Sequence, residues 1–198
     1  VVNIIATNAW VKVSDTPGVK KDIVDNNTAD NHGSANIGDT IKYQVVINPV
    51  PQYGGDYPVL NLVDTLSKGL DFVEGSVEVN VYGKDAAFPY TSTESTKLSA
   101  DKYSVTVTPK YENDDSTNAK VATEIKIDFV TKGNDNVLLY ALNEDWKEGN
   151  KAVITYEAKL NDNAAMNQNS NENSVKLEYT KDSKVNSDDN GDVIPENP

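Results

Sequence analysis

Apolar and polar residues alternate with a period of two along most of the chain. Val19, Lys21 and Ile23 share one parity, as do Ile41, Tyr43, Val45 and Ile47, and then Val77, Val79 and Val81. Tyr103, Val105 and Val107 continue the pattern, followed by Ile125, Ile127 and Phe129, by Ala152, Ile154, Tyr156, Ala158 and Leu160, and by Val175, Leu177 and Tyr179. Such alternation in segments rich in β-branched and aromatic residues predicts half-buried strands. Tracts heavy in Asn, Asp, Gly and Ser separate them: Asp25–Gly38, Gly54–Asp56, Lys132–Asn136 and Asn161–Asn173. Many short strands joined by turns predict an all-β, antiparallel β-sandwich with long loops. Asn136–Trp146 is the single segment that fits a helix, and it fits a strand followed by a turn equally well. No internal repeat divides the chain, so one domain is expected over residues 1–182. From Lys181 onward periodicity is lost, and residues 183–198 read as an acidic, proline-containing linker with more protein beyond it.

Composition narrows the function classes. The 198 residues are 37% hydrophobic and carry a formal charge of −13, and every cation is lysine. A chain with no arginine and no basic excess has nothing to displace counterions from phosphates, which argues against nucleic-acid binding. Cysteine is absent, removing disulfides, thiol nucleophiles and Cys-type metal sites together. Imidazole chemistry would rest on His32 alone, and His32 falls in a polar, turn-rich tract, where a solvated loop residue is the expected reading. No run is long enough to span a membrane and no signal peptide is evident, so membrane insertion is not expected and the chain reads as a mature or excised piece.

Three polar residues fall in phase with the apolar ones. Lys21 shares its parity with Val19 and Ile23, Asp64 with Leu60, Leu62 and Leu66, and Asn173 with Val175, Leu177 and Tyr179. Singly, each reads as a strand-end residue whose side chain reaches solvent or a turn. Together they suggest a reaction. Burial takes the proton from a lysine amine and keeps one on an aspartic acid. The amine is then a nucleophile, the acid polarises an amide oxygen, and the asparagine carboxamide is the electrophile. Attack expels ammonia and leaves an amide cross-link.

These residues sit in segments that resemble the fimbrial isopeptide-forming domain of Gram-positive pilins and related surface adhesins. The resemblance runs through PGVKKDI (Pro17–Ile23), NIGDTIKYQVVINPVP (Asn36–Pro51), LVDTLSKGLDF (Leu62–Phe72), LSADKYSVTV (Leu98–Val107), VITYEAKLNDNA (Val153–Ala164) and NENSVKLEYTKD (Asn171–Asp182). It implies an Ig-like sandwich with an autocatalytic Lys–Asn isopeptide bond tying the first strand to the last. Position by position, it makes Lys21 and Asn173 the cross-linked pair and Asp64 the protonated acid that promotes the bond. Lys20 and Asn171 stand as alternatives at either end. The implied role is a structural module of a pilus or adhesin at the cell surface or cell wall, with no cofactor and no external substrate. Its implied partners are neighbouring domains or subunits joined by sortase, together with a host or bacterial surface ligand. The family's YPKN-type pilin motif is missing, and Ile194–Pro198 is only faintly similar to an LPXTG sorting signal.

Other constellations are weaker. Asn186, Asp188 and Asn190 have calcium-loop spacing, but the twelfth position is Asn197 where a bidentate Glu is needed, so a solvated acidic linker is the expected reading. Chance pairs among 31 acidic residues explain any glycosidase-like couple. Trp10, Trp146 and the ten tyrosines leave a carbohydrate- or host-ligand-binding β-sandwich as the rival reading.

Overall fold

The computed structural model describes residues 2–8, 17–50, 59–91, 95–129, 150–165, 170–179, 186–187 and 193–194. The elements in chain order are β1 (Val2–Asn8), β2 (Gly18–Asp25), β3 (Thr28–Asp30), β4 (His32–Ala35), β5 (Thr40–Asn48), β6 (Leu60–Ser67), β7 (Leu70–Phe72) and β8 (Glu78–Tyr82). They continue with β9 (Ser95–Lys97), β10 (Ser104–Tyr111), β11 (Lys120–Asp128), β12 (Lys151–Leu160), β13 (Ser170–Tyr179), β14 (Asn186–Ser187) and β15 (Val193–Ile194). One sheet has the order β10-β11-β6-β13-β1-β4; the other runs β3-β2-β5-β12-β8-β9, with β7 pairing β12 beside β8.

The alternating residues largely fill the core between these sheets. Tyr43, Val45 and Ile47 of β5, Leu60, Leu62 and Leu66 of β6, and Ile154 and Ala158 of β12 have no exposed surface. Period-2 strands place one parity inward, so each sheet contributes one apolar face, and burial of these side chains drives the two faces together. The predicted β-sandwich is therefore the observed fold.

Four features depart from the sequence reading. The first strand is β1, not the Val19–Ile23 segment. It pairs parallel with β13, from Asn3 opposite Ser170 to Asn8 opposite Val175, and antiparallel with β4. Val2, Ile4 and Ala6 are buried. The tract Asp25–Gly38 is not simply loop, because β3 adds to β2 and β4 adds to β1. His32 lies on β4, opposite Ile5, with its side chain exposed. Strand β13 starts at Ser170, inside the tract read as turn, because β1 supplies backbone partners there. Finally, Val105 and Val107 lie opposite Ile127 and Ile125, on the core-facing parity, yet are 37% and 39% exposed. Among the described residues their strand β10 is at the sheet edge, with a neighbour on one side.

In the tail, β14 and β15 pair with each other. The helix-or-strand segment Asn136–Trp146, both tryptophans, the turn tracts at residues 54–56 and 132–136, and the side chains of the calcium-like spacing and the faint sorting signal lie outside the described residues.

Candidate functional site: a buried lysine, aspartate and asparagine

Four strands aim polar side chains at one point of the core. Lys21 comes from β2 and Tyr156 from β12 in one sheet; Asp64 comes from β6 and Asn173 from β13 in the other. Within each sheet the register sets the approach: β6 and β13 are neighbours, with Val175 opposite Asp64 and Asn173 opposite Leu66. All three predicted residues are at most 1% exposed, in a surround otherwise made of aliphatic and aromatic side chains.

The lysine amine is the hub. Lys21 Nζ donates to Asp64 Oδ2 at 2.5 Å, to the Tyr156 hydroxyl at 2.6 Å, and to Asn173 Oδ1. Tyr156 joins the other partners as well: its hydroxyl donates to Asp64 Oδ2 at 2.8 Å and accepts from Asn173 Nδ2 at 2.5 Å. Tyr43 stacks on Tyr156, with ring centroids 5.4 Å apart, and Lys21 Nζ lies 5.0 Å and 5.2 Å from the centres of the two rings. Cation–π attraction and the Asp64 carboxylate favour the ammonium, while removal from water disfavours it.

Desolvation prevails. Burial lowers the Lys21 pKa from 10.5 to about 8, against the opposing pull of Asp64. Burial likewise raises the pKa of Asp64, against Lys21 and Tyr156. The Tyr156 hydroxyl is held protonated, chiefly by burial and then by Asp64. Each shift moves the Lys–Asp pair toward its neutral form, an amine beside a carboxylic acid. Among the described residues the buried Asp64 Oδ1 has no hydrogen-bond partner, an expensive arrangement for an ionised carboxylate and a cheaper one for a neutral acid.

The alternative residues occupy other surroundings. Lys20 points the opposite way from Lys21, its side chain 56% exposed and paired with Asp22 at 2.8 Å. Asn171 is buried, but its amide donates to the Asn3 and Ala165 carbonyls and accepts from the Ala165 N–H. It ties β13 to β1 and to the turn before β13. Tyr156 was not singled out from the sequence, although its parity with Ile154 and Ala158 already places it inward. What alternation along one strand cannot show is that its hydroxyl meets residues from both sheets.

Among the described residues no group of three or more His, Asp or Glu side chains is placed to hold a metal, and no helix is long and apolar enough to cross a membrane.

No protein-family model matches the chain, and no curated protein matches it. Solved structures do. The chain is similar to the pilus backbone protein RrgB of Streptococcus pneumoniae, at 21% identity and a TM-score of 0.50, over 86% of this chain and 55% of that one. A structure of the full-length major pilin RrgB from the same organism aligns over 88% of this chain and 25% of its own length, at 21% identity and a TM-score of 0.48. The backbone protein of group B streptococcus pilus 2b aligns over 83% of this chain and 53% of its own, at 18% identity and a TM-score of 0.43. The chain thus spans only about half of the first of these, and what it shares with that pilus backbone subunit is the β-sandwich fold.

Proposed function

We propose that this chain is a structural module of a bacterial surface fibre, closed by an intramolecular isopeptide bond between Lys21 and Asn173. The observation that carries the reading is the lysine amine, fully buried and held against both a carboxamide oxygen and a carboxyl group. The likeness in fold to a pilus backbone protein supports the fibre role.

The chemistry follows from the contacts. In the neutral pair the Lys21 nitrogen carries a lone pair, and Asp64 carries the proton. The amine attacks Asn173 Cγ while the Asp64 acid stabilises the charge developing on Oδ1, as an oxyanion-stabilising donor does. The Cγ–Nδ2 bond then breaks. Nδ2 leaves with its two hydrogens and a third that comes, in net, from the attacking amine, so that one ammonia is released and a secondary amide remains. Tyr156 touches Asp64, Lys21 and Asn173 Nδ2, and provides the path by which that proton reaches the leaving nitrogen. Turnover is single, because nucleophile and electrophile are both consumed.

A bond between residues 152 positions apart closes most of the domain into one covalent loop. In a chain without cysteine it would hold the two sheets together as a disulfide does in other extracellular proteins, and it would be indifferent to reductant. Sortase-mediated joining to neighbouring subunits and display at the cell wall complete the proposed role.

Intact-mass measurement tests the reading. The expected mass is roughly 17 Da below that of the sequence, one ammonia lost. A full, unmodified mass would overturn it.

A further inference from the structure

The outer face of the second sheet carries a cavity that the Lys21 site does not use. Alternation sends Lys21, Tyr43 and Tyr156 into the core and their neighbours Asp22, Gln44 and Thr155 outward. Strand register sets Asp22, Gln44, Thr155 and Glu78 in one row across β2, β5, β12 and β8. Beside this row the chain after β8 folds back on the sheet, where Ala86 and Tyr90 pack on Val46, Tyr82 and Val153. Between that flap and the β2–β3 turn lies a cavity of about 560 Å³.

Its lining combines two chemistries. Tyr82, Phe88 and Tyr90 supply aromatic surface, with the Tyr82 and Tyr90 rings 4.9 Å apart and Phe88 edge-on to Tyr90. Gln44, Asn80 and Thr155 supply amides and a hydroxyl. Gln44 is 5% exposed and lines the cavity from the centre of the row. Charge adds a further constraint. Of the charged residues lining the cavity, Glu78 and Lys97 pair at 2.7 Å, whereas Lys42 at the rim has no ion-pair partner among the described residues. The charged residues lining the cavity thus sum to one positive charge on a chain whose formal charge is −13, with Glu157 opposite Lys42 in the neighbouring strand.

We propose that this cavity binds a sugar unit bearing a carboxylate. A pyranose ring presents apolar C–H faces and equatorial hydroxyls together, which match aromatic side chains beside amides. The carboxylate matches the Lys42 ammonium. A peptide fits less well, because extended peptides gain their affinity from the unpaired backbone of a sheet edge. This cavity lies over β5 and β12, whose backbones are already paired on both sides.

Titration of the isotopically labelled full chain with D-glucuronic acid, followed by NMR, tests the assignment. Saturable shifts are expected at the Gln44 side-chain amide and around Tyr90. Lys42→Ala should weaken binding about tenfold, to the level of D-glucose on the unchanged protein. Gln44→Leu should abolish the sugar-dependent shifts while leaving the remaining spectrum native. Absence of saturable shifts at these residues overturns the proposal. So does an equal response to acetate alone, which would make this a simple anion site, or a response to the peptide Glu-Gly-Glu without one to the sugar. None of these outcomes depends on the mass measurement above, so the cavity and the cross-link stand or fall separately.

Discussion

A lysine with no exposed surface must either find compensation for its charge or lose it, and Lys21 is built for the second. Its carboxyl partner is shifted toward neutrality by the same desolvation, so one proton exchange removes both buried charges. Asp64→Ala removes the acid, and that variant should show the full mass of its own sequence, without the loss of roughly 17 Da. Normal bond formation in the variant would remove Asp64 from the mechanism. Tyr156→Phe keeps the stacked ring but removes the hydroxyl that links Asp64 to the leaving nitrogen. Bond formation, followed by mass against time during refolding, should slow by about 10²-fold or more. The pH dependence belongs to the uncross-linked protein. In Asn173→Ala the lysine stays free, with a pKa of about 8 when folded against 10.5 when unfolded. Between those values the unfolded chain binds more protons, so the Lys21 contribution makes stability rise as pH climbs from about 8 to 10.5. Asp64 acts in the opposite sense, its raised pKa costing stability as pH rises from the ordinary 3.8 through the folded value. Melting curves between pH 7 and 10 on Asn173→Ala and on Asn173→Ala/Lys21→Met should differ by the alkaline rise, present only where the lysine remains.

At the scale of elements, β1 has a distinct standing because it precedes Lys21 and would lie outside the loop that the proposed bond closes. It is held by backbone pairing to β13 and β4 and by the burial of Val2, Ile4 and Ala6. Tension between the start of β1 and the end of β13 loads their parallel ladder in shear, so several hydrogen bonds must fail together. Once they fail, a Lys21–Asn173 bond would let only the chain before Lys21 and after Asn173 extend. Single-molecule pulling between residues 2 and 179 should release roughly 90 Å of chain in the cross-linked protein and roughly 600 Å in Lys21→Ala. Equal extensions would show that no covalent loop is present. A close approach in the turn after β6 guards the other end of β13. A Cβ at Gly69 would lie 2.5 Å from the Ala164 Cα and 2.5 Å from Asn171 Oδ1. Backbone on one side and a fully engaged amide on the other leave no easy retreat. Gly69→Ala should therefore destabilise the fold by about 2 kcal/mol, measured by denaturant melting.

For the whole molecule, a cross-link between Lys21 and Asn173 acts chiefly on the unfolded chain. A loop closed over 152 positions is worth about 5 kcal/mol on the loop-entropy scale. For a chain of this size that corresponds to a melting temperature about 10–20 °C higher than in Lys21→Ala or Asn173→Ala. Because no cysteine is present, the difference should be unchanged by reductant. The same bond alters the charge inventory without altering its total. With the proposed bond formed, one lysine cation and one aspartate anion would vanish together in the core, and the formal −13 would be preserved.

Much of this architecture was legible in the residues. Period-2 alternation specifies which side of a strand is apolar, so Ile41–Ile47, Ile125–Phe129 and Ala152–Leu160 declared their strands and faces without any knowledge of their neighbours. It also marked Lys21, Asp64 and Asn173 as polar residues on apolar faces, since a side chain's facing is a local property. Pairing is not local. Nothing within Val2–Asn8 says that it lies parallel to a strand some 170 positions away, and nothing in β10 says that it is an edge, where Val105 and Val107 lack cover. Which neighbour fills each place in a sheet depends on the competition of all strands for the same hydrogen bonds and the same buried area. For the same reason, only the packing of two sheets decided that Tyr156 would join the lysine, the acid and the amide. It also left the opposite face of β5 and β12 bearing Gln44 beside aromatic rings.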